Sequence, residues 1–320
     1  MKWLTDSWYE YRATRFLLLP LSMLYQLIIG LRRLAYRLNI FKQNQLNVPV
    51  IIVGNISVGG TGKTPAVIWL ATQLKQAGYN PGIVSRGYGG KAEHYPQEVK
   101  PNSEPRIVGD EPVIISQQTG CPMAVSPKRH EAAEFLVKNH RCNIIISDDG
   151  LQHYSMGRDI EVAVIDGKSR LGNGLFLPSG PLRDSKNRLN SVDFIINNGS
   201  SLDGEISSQL EYKGFLNLIT GEKKHLEFFR GRRCYAVAGI GKPNNFFSIL
   251  EDLGIDIIAK PFPDHYQFTK EDLSFDNEYP ILMTSKDCVK CSQFASSGMW
   301  HLDVNAKIEP EFYHQLESKL

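Results

Sequence analysis

The sequence predicts an α/β fold with a mainly parallel sheet. Three observations predict it. Short apolar runs at 50–53, 81–85, 123–126, 143–147 and 160–166 alternate with helix-period segments such as 65–77 and 128–139. Such alternation builds βαβ units, because two parallel strands need a crossover between them. The first apolar run feeds a Gly-rich loop that opens directly into a helix, which is the order a phosphate cradle requires. A second β-α-β pattern, at 234–238, 243–253 and 255–259, follows a loosely alternating stretch at 206–230. It predicts a smaller second α/β lobe joined by a β-strand linker. The expected boundaries are an N-terminal helical segment at 1–46, a first lobe at 47–205, the linker at 206–231 and the second lobe at 232–320.

Length and composition agree with two lobes. A chain of 320 residues is long for one core, and 42% hydrophobic with 22% charged residues is a globular balance. The net charge of +2 is uneven. Residues 1–48 hold seven Lys or Arg (Lys2, Arg12, Arg15, Arg32, Arg33, Arg37, Lys42) against Asp6 and Glu10, a local +5 that leaves −3 for the rest. A basic excess confined to the N-terminus favours an anionic membrane surface. No basic patch interleaved with aromatics occurs elsewhere, which argues against nucleic acid as a partner. The five scattered cysteines suit a reducing compartment. Cys288 and Cys291 form a C-x-x-C, but no second pair exists to complete a zinc site.

The N-terminal run Phe16–Leu31 is strongly apolar and shorter than the roughly 20 residues a spanning helix wants. Pro20, Ser22 and Gln26 interrupt it. Trp3, Trp8, Tyr9 and Tyr11 flank one end, and Arg32, Arg33 and Arg37 the other, which suits a helix in the membrane interface. A helix packed on its own domain is the alternative.

The loop Ser57-Val58-Gly59-Gly60-Thr61-Gly62-Lys63-Thr64 follows the strand 50–53. Its glycines let backbone N–H groups approach an anion, and the helix N-terminus adds partial positive charge. These eight residues are the expected ATP contacts. Lys63 would reach the β- and γ-phosphates and Thr64 would place its hydroxyl on Mg²⁺. The match to a P-loop departs at Ser57, where the first glycine belongs. The helix 65–77 stops at Gly78, and the strand 81–85 leads into the Gly-rich loop 86–90. A polar excursion fills 91–105. Asp110 then opens a short helix, where a simple N-cap explains it as well as a functional role does.

After the strand 123–126 and the helix 128–139, an apolar strand ends in Asp148-Asp149. Downstream of a phosphate loop, this is where a Mg²⁺-side carboxylate is presented. His153 follows, with a structural or a functional role open to it. The strand 160–166 leads to the Gly/Pro-rich stretch 172–184, a loop long enough to be functional. Within it, Arg183 is a candidate substrate contact through phosphate. A strand at 192–197 closes the first lobe. In the second, the turn Gly239-Ile240-Gly241 carries only part of a dinucleotide fingerprint. The segment 261–268 carries Asp264 and His265, a strand at 281–284 ends near Lys286, and a strand at 300–304 and a helix at 310–319 finish the chain.

In order, VGNISVGGTGKTP, SRGYGG, VGDEP, SDDGLQH, LPSGPLRD, AGIGKPNNFF and FPDHYQF run from residue 53 to residue 268, within a likeness that extends from about residue 10 to about residue 290. Together these motifs resemble the tetraacyldisaccharide 4′-kinases of lipid A synthesis in Gram-negative bacteria. Ser57 belongs to that family's own form of the loop. The resemblance implies that ATP and Mg²⁺ are needed, and that the γ-phosphate goes to the 4′-hydroxyl of a tetraacylated glucosamine disaccharide 1-phosphate. It matches Lys63 and Thr64 to the ATP and metal positions, Asp148 and Asp149 to the acidic pair, Asp110 to the catalytic base and His265 to its partner. With those two in different predicted lobes, lobe closure would join them. It implies the cytoplasmic face of the inner membrane as location, with no obligate protein partner. Cys288 departs from the small residue expected there. Two rival classes are a membrane-recruited switch ATPase, which often carries a lysine where Val58 stands, and a binding protein in which ATP is structural.

Overall fold

The computed structural model describes residue 8, residues 14–199 and residues 201–320. By contacts the chain divides into two units, each discontinuous in sequence. The first comprises Met1–Arg86, Cys121–Gln209 and Ala306–Leu320, and the second Gly87–Gly120 and Leu210–Asn305.

The first unit is built on the parallel strands β1 (Val50–Gly54), β2 (Pro81–Ser85), β4 (Met123–Val125), β5 (Ile144–Asp148), β6 (Ile160–Asp166), β7 (Phe194–Asn198) and the start of β8 (Ile206–Asn217). The short β3 (Gln97–Val99) lies in the second unit's part of the chain. The spatial order is β8-β7-β6-β1-β5-β2-β4. Every pairing in it is parallel. All residues of β1, β2 and β5 are buried, which explains why they read as continuous apolar runs. β1 lies between β5 and β6, so the chain leaves it in one direction first and returns to its other side later. A crevice outside the carboxyl ends of the strands is expected at such a reversal. The loop after β1 and the acidic pair after β5 both leave from those ends.

Two helices of this unit differ from the expected organisation. The last helix, Pro310–Glu317, belongs to the first unit: Phe312 stacks on Trp69 at 5.6 Å and meets Phe194 edge-on at 5.2 Å. Near the other terminus, the helix Leu19–Arg37 keeps a narrow stripe against its own unit. Ser22 donates to the Phe176 carbonyl at 2.6 Å, Tyr25 to the Arg183 carbonyl at 3.3 Å, and Tyr36 meets Tyr154. Leu21, Leu24, Leu27, Ile28, Leu31 and Leu34 remain exposed. The packed-helix reading therefore describes one stripe of this segment, and the rest of its apolar surface lies open. Among the described residues, no helix is long and apolar enough to cross a membrane. Trp8 donates to the Pro178 carbonyl at 3.0 Å, while Trp3, Tyr9 and Tyr11 lie outside the described residues.

The second unit has the parallel strands β10 (Arg233–Ala238), β11 (Asp256–Pro261), β12 (Ile281–Met283) and β13 (Met299–Ile308), in the order β11-β10-β12-β13. The helix Pro243–Asp252 completes the expected β-α-β and buries Phe246, Phe247 and Leu250 with Phe215, Phe229 and Trp300. The stretch 206–230 forms one long strand, β8, and a two-residue partner, β9 (Lys223–Lys224), antiparallel to it. The helix Asp110–Thr119 also belongs to this unit.

Candidate functional site

The phosphate loop begins where β1 ends. Gly62 stands at the N-cap of the helix Lys63–Gln76 with φ 89°, a left-handed conformation that favours glycine. A Cβ there would lie 2.9 Å from Asn198 Nδ2, so the Asn198 side chain would have to shift to admit one. No side chain caps this helix and no acidic residue occupies its first turn. First-turn amides and the positive helix end therefore face the loop without a carboxylate among them. Gly60 would meet nothing if it carried a Cβ, which leaves its surface open. Two contacts shape the loop: Asn55 donates to the Thr61 hydroxyl at 3.2 Å, and the Val58 amide donates to the Pro181 carbonyl at 2.8 Å. That amide of the expected ATP-binding set is thus committed to the 172–184 stretch.

The 172–184 stretch is more ordered than its composition suggests. The Leu177 amide donates to the Leu182 carbonyl at 2.9 Å, the Leu182 amide to the Leu175 carbonyl at 3.0 Å, and the Arg183 amide to the Ile56 carbonyl at 2.7 Å. This places Arg183 beside the acidic pair. Its guanidinium donates to both oxygens of Asp149, at 2.9 and 3.1 Å, and also to Asn55. Lys63 Nζ lies 3.7 Å from the same carboxylate. Burial pushes the Asp149 carboxyl up, but Lys63, Arg183 and Arg129 together outweigh it and hold it at about 2. Asp149 has φ 51°, a region that Asp tolerates.

Asp148 is buried at the end of β5, with the Ser85 hydroxyl 3.5 Å from one oxygen. His153 lies nearby in sequence with Nε2 3.1 Å from the Ser155 hydroxyl, and burial, with the surrounding arginines, lowers it to about 3, so it stays neutral.

These donors fit Mg²⁺. A magnesium ion takes one or two protein oxygens and fills its remaining positions with phosphate and water. The Thr64 hydroxyl and the Asp148 carboxylate are hard oxygen donors of that kind. Among the described residues no three His, Cys, Asp or Glu converge, so an all-protein cage is not built here.

The second cluster lies wholly in the second unit. Gly109, with φ 95°, occupies the N-cap of the helix Asp110–Thr119, and a Cβ on it would lie 2.7 Å from the Tyr88 carbonyl. Asp110 is therefore the first helical residue and not the cap. One of its oxygens accepts from the Glu111 amide at 3.0 Å, and the other lies 3.3 Å from His265 Nδ1. His265 has φ 57°, and its ring meets Tyr88 edge-on at 5.3 Å. Gly89, Pro105, Asp110, His265 and Gln267 line a small cleft. Burial pushes the Asp110 carboxyl up, but the hydrogen bond from His265 and the charges of Lys286, His265 and Lys290 carry it below its ordinary value. The hydrogen bond to Asp110 raises His265 against the opposing effect of burial. Lys286 pairs with Glu111. Asp110 and His265 already touch within one unit, so lobe closure is not what brings them together.

Three residues at these sites had no role assigned from sequence. Arg129 is buried and donates to the Asp149 carbonyl at 2.9 Å; in SPKRHEAAEF it looks like an ordinary helix-start arginine. Asn55, fully buried, links Arg183 to Thr61; its position between strand and glycines was the available signal. Glu111 carries no signal beyond its neighbour Asp110. Cys288 and Cys291 are both pushed up to about 12, chiefly by burial, and behave as apolar residues.

The profile of the Tetraacyldisaccharide-1-P 4′-kinase family matches residues 14–320. The tetraacyldisaccharide 4′-kinase of Nitrosococcus oceani is 46% identical over 98% of this chain and 93% of its own length. That of Ruthia magnifica is 49% identical over 95% and 96%. The crystal structure of LpxK from Aquifex aeolicus, solved in complex with ATP, superposes with a TM-score of 0.82 at 28% identity, covering 96% of this chain and 98% of that one.

Proposed function

We propose how the two clusters share the chemistry on the premise that this chain belongs to the tetraacyldisaccharide 4′-kinase family. The protein is an ATP-dependent kinase of lipid A biosynthesis, acting on the 4′-hydroxyl of a tetraacyldisaccharide 1-phosphate.

Phosphoryl transfer has a loose transition state, so catalysis is mostly positioning and charge neutralisation. The loop 57–64 binds the ATP phosphates through its backbone amides, with Lys63 on the β- and γ-phosphates. Arg183 and Asp149 form a latch that sets the position of Lys63, and Arg183 also lies close enough to the loop to meet phosphate. Thr64 and Asp148 would hold Mg²⁺, which would neutralise charge on the transferred group. Asp148 is preferred to Asp149 because both oxygens of Asp149 are engaged by Arg183. Asp110 accepts the proton of the 4′-hydroxyl. His265 orients Asp110 and keeps it ionised, so the carboxylate is available as acceptor over the neutral range.

The observation that carries this assignment is the Asp110–His265 contact at 3.3 Å, made by residues far apart in sequence. A switch ATPase or a structural ATP site has no need of it. The test is transfer of labelled phosphate from ATP to the acylated disaccharide. Asp110→Ala should slow transfer severely while ATP still binds, and full transfer by that variant would refute the base assignment.

The exposed leucine face of the helix Leu19–Arg37, with Arg32, Arg33 and Arg37 at its end, supports binding to an anionic membrane surface. A lipid acceptor and a cytoplasmic source of ATP then favour the cytoplasmic face of the inner membrane. Sedimentation with vesicles containing anionic lipid should carry the protein down, and no partition would refute this.

A further inference from the structure

The helix Ser285–Cys291 buries a complete ion pair, of which the chemistry above uses only the charge of Lys290 on Asp110. Lys290 Nζ lies 2.7 Å from Asp287 Oδ1, and their side chains are 1% and 0% exposed. Such a pair is a poor device for stability, since the desolvation of both charges offsets their attraction. Its contacts point instead to geometry. The other Asp287 oxygen accepts from the Gly239 amide at 3.1 Å and from the Thr284 hydroxyl at 2.7 Å. Gly239 follows the end of β10 and Thr284 follows β12, so one carboxylate ties two strand ends together. Lys290 Nζ in turn lies 5.1 Å from the centre of the Phe268 ring, a cation–π contact in a dry site.

Phe268 belongs to the segment that carries His265. Its ring packs on Phe262 at 5.0 Å and on Tyr266 at 5.2 Å, so aromatic anchors bracket Asp264-His265 on both sides. The same segment is held against β10 by its backbone: the Phe262 amide donates to the Ala238 carbonyl at 2.9 Å. The approach is close. A Cβ on Gly239 would lie 3.1 Å from Asp287 Oδ1, 3.2 Å from Phe268 Cζ and 3.3 Å from the Pro263 carbonyl. His265 itself has a left-handed backbone, which persists only where the surroundings over-determine it.

We infer that the buried Asp287–Lys290 pair is a positioning element that fixes the 262–268 segment and thereby holds His265 on Asp110. The inference rests on the reading that Asp110 and His265 act in the transfer step. A displacement of His265 by about 1 Å is enough to cost up to about 100-fold in turnover.

The test is a double-mutant cycle in the full-length protein, with ATP and detergent-dispersed tetraacyldisaccharide 1-phosphate. Lys290→Met keeps the stem on Phe268 and removes the charge. It should lower kcat by about 10- to 100-fold with little change in the KM for ATP. In a His265→Ala background the same substitution should add less than about twofold, because its effect passes through the histidine. The His265 imidazole, followed by NMR titration, should fall towards its ordinary pKa as it leaves Asp110. An equal loss in both backgrounds, or full turnover by a folded Lys290→Met protein, overturns the positioning role. If Lys290→Met does not fold, Asp287→Asn, which can still accept from Gly239, is read by the same criteria. Full turnover by His265→Ala alone would instead overturn the reading beneath, and the positioning role with it.

Discussion

In the mechanism we propose, the phosphate loop and the Asp110–His265 pair solve different problems by different means. The loop works mainly through backbone: glycines, a helix N-terminus and one lysine, contiguous from Ser57 to Thr64. The pair works through two side chains delivered by separate segments, each with unusual backbone, Gly109 at φ 95° and His265 at φ 57°. The loop is anchored by a ring of charge, in which Arg183 and Lys63 converge on Asp149. The pair is one carboxylate and one imidazole, with the Lys286–Glu111 pair beside it. A backbone cradle depends, Lys63 apart, little on the side chains around it, while a two-residue site depends on both members staying in place.

The largest effect should come from the pair. Asp110→Ala should lower kcat by about 10²–10⁴-fold with the KM for ATP little changed, as measured by steady-state kinetics. Lys63→Ala should follow, with a loss of about 10²–10³-fold from missing charge stabilisation. If its loss instead appeared only in the KM for ATP, Lys63 would be a ground-state contact and the contrast between the clusters would sharpen.

His265→Ala is smaller and more telling. Asp110 has a depressed pKa, so its basic form is present above the ordinary carboxylate range and is lost only as pH falls below it. Without the hydrogen bond from His265, burial has less to oppose it and the pKa should rise. The acid limb of the kcat profile should therefore move to higher pH. An unmoved limb would mean that His265 does not tune Asp110.

The smallest effect concerns stability. Asp149 sits at about 2 when folded, below its ordinary 3.8. Its contribution is full above the unfolded value and is lost as pH falls towards about 2. Thermal midpoints measured from pH 5 to pH 2 should drop in this window, and Arg183→Ala should shallow the drop. An identical slope in the variant would mean that the latch is not what depresses Asp149.

Local sequence was enough for the loop, because glycine, lysine and helix start must be neighbours to cradle phosphate. It was also enough for the buried strands, whose apolar runs are continuous because both faces are covered, and for the acid at the end of β5. The helix Pro310–Glu317 and the segment 87–120 were different. Their unit is decided by which aromatic and apolar surfaces meet, as Phe312 does with Trp69 and Phe194, and no local pattern records that.

The amino-acid sequence by itself determined the α/β class, the Gly-rich loop between strand and helix, the acidic pair and an apolar N-terminal helix flanked by arginines, since each depends on residues within a few turns of one another. Tertiary structure alone decided that Asp149 is locked by Arg183 and Lys63, that Arg129 is buried beneath it, and that Asp110 meets His265 within one unit. Those contacts join distant segments, and their energies depend on burial and distance, which exist only once the chain has folded.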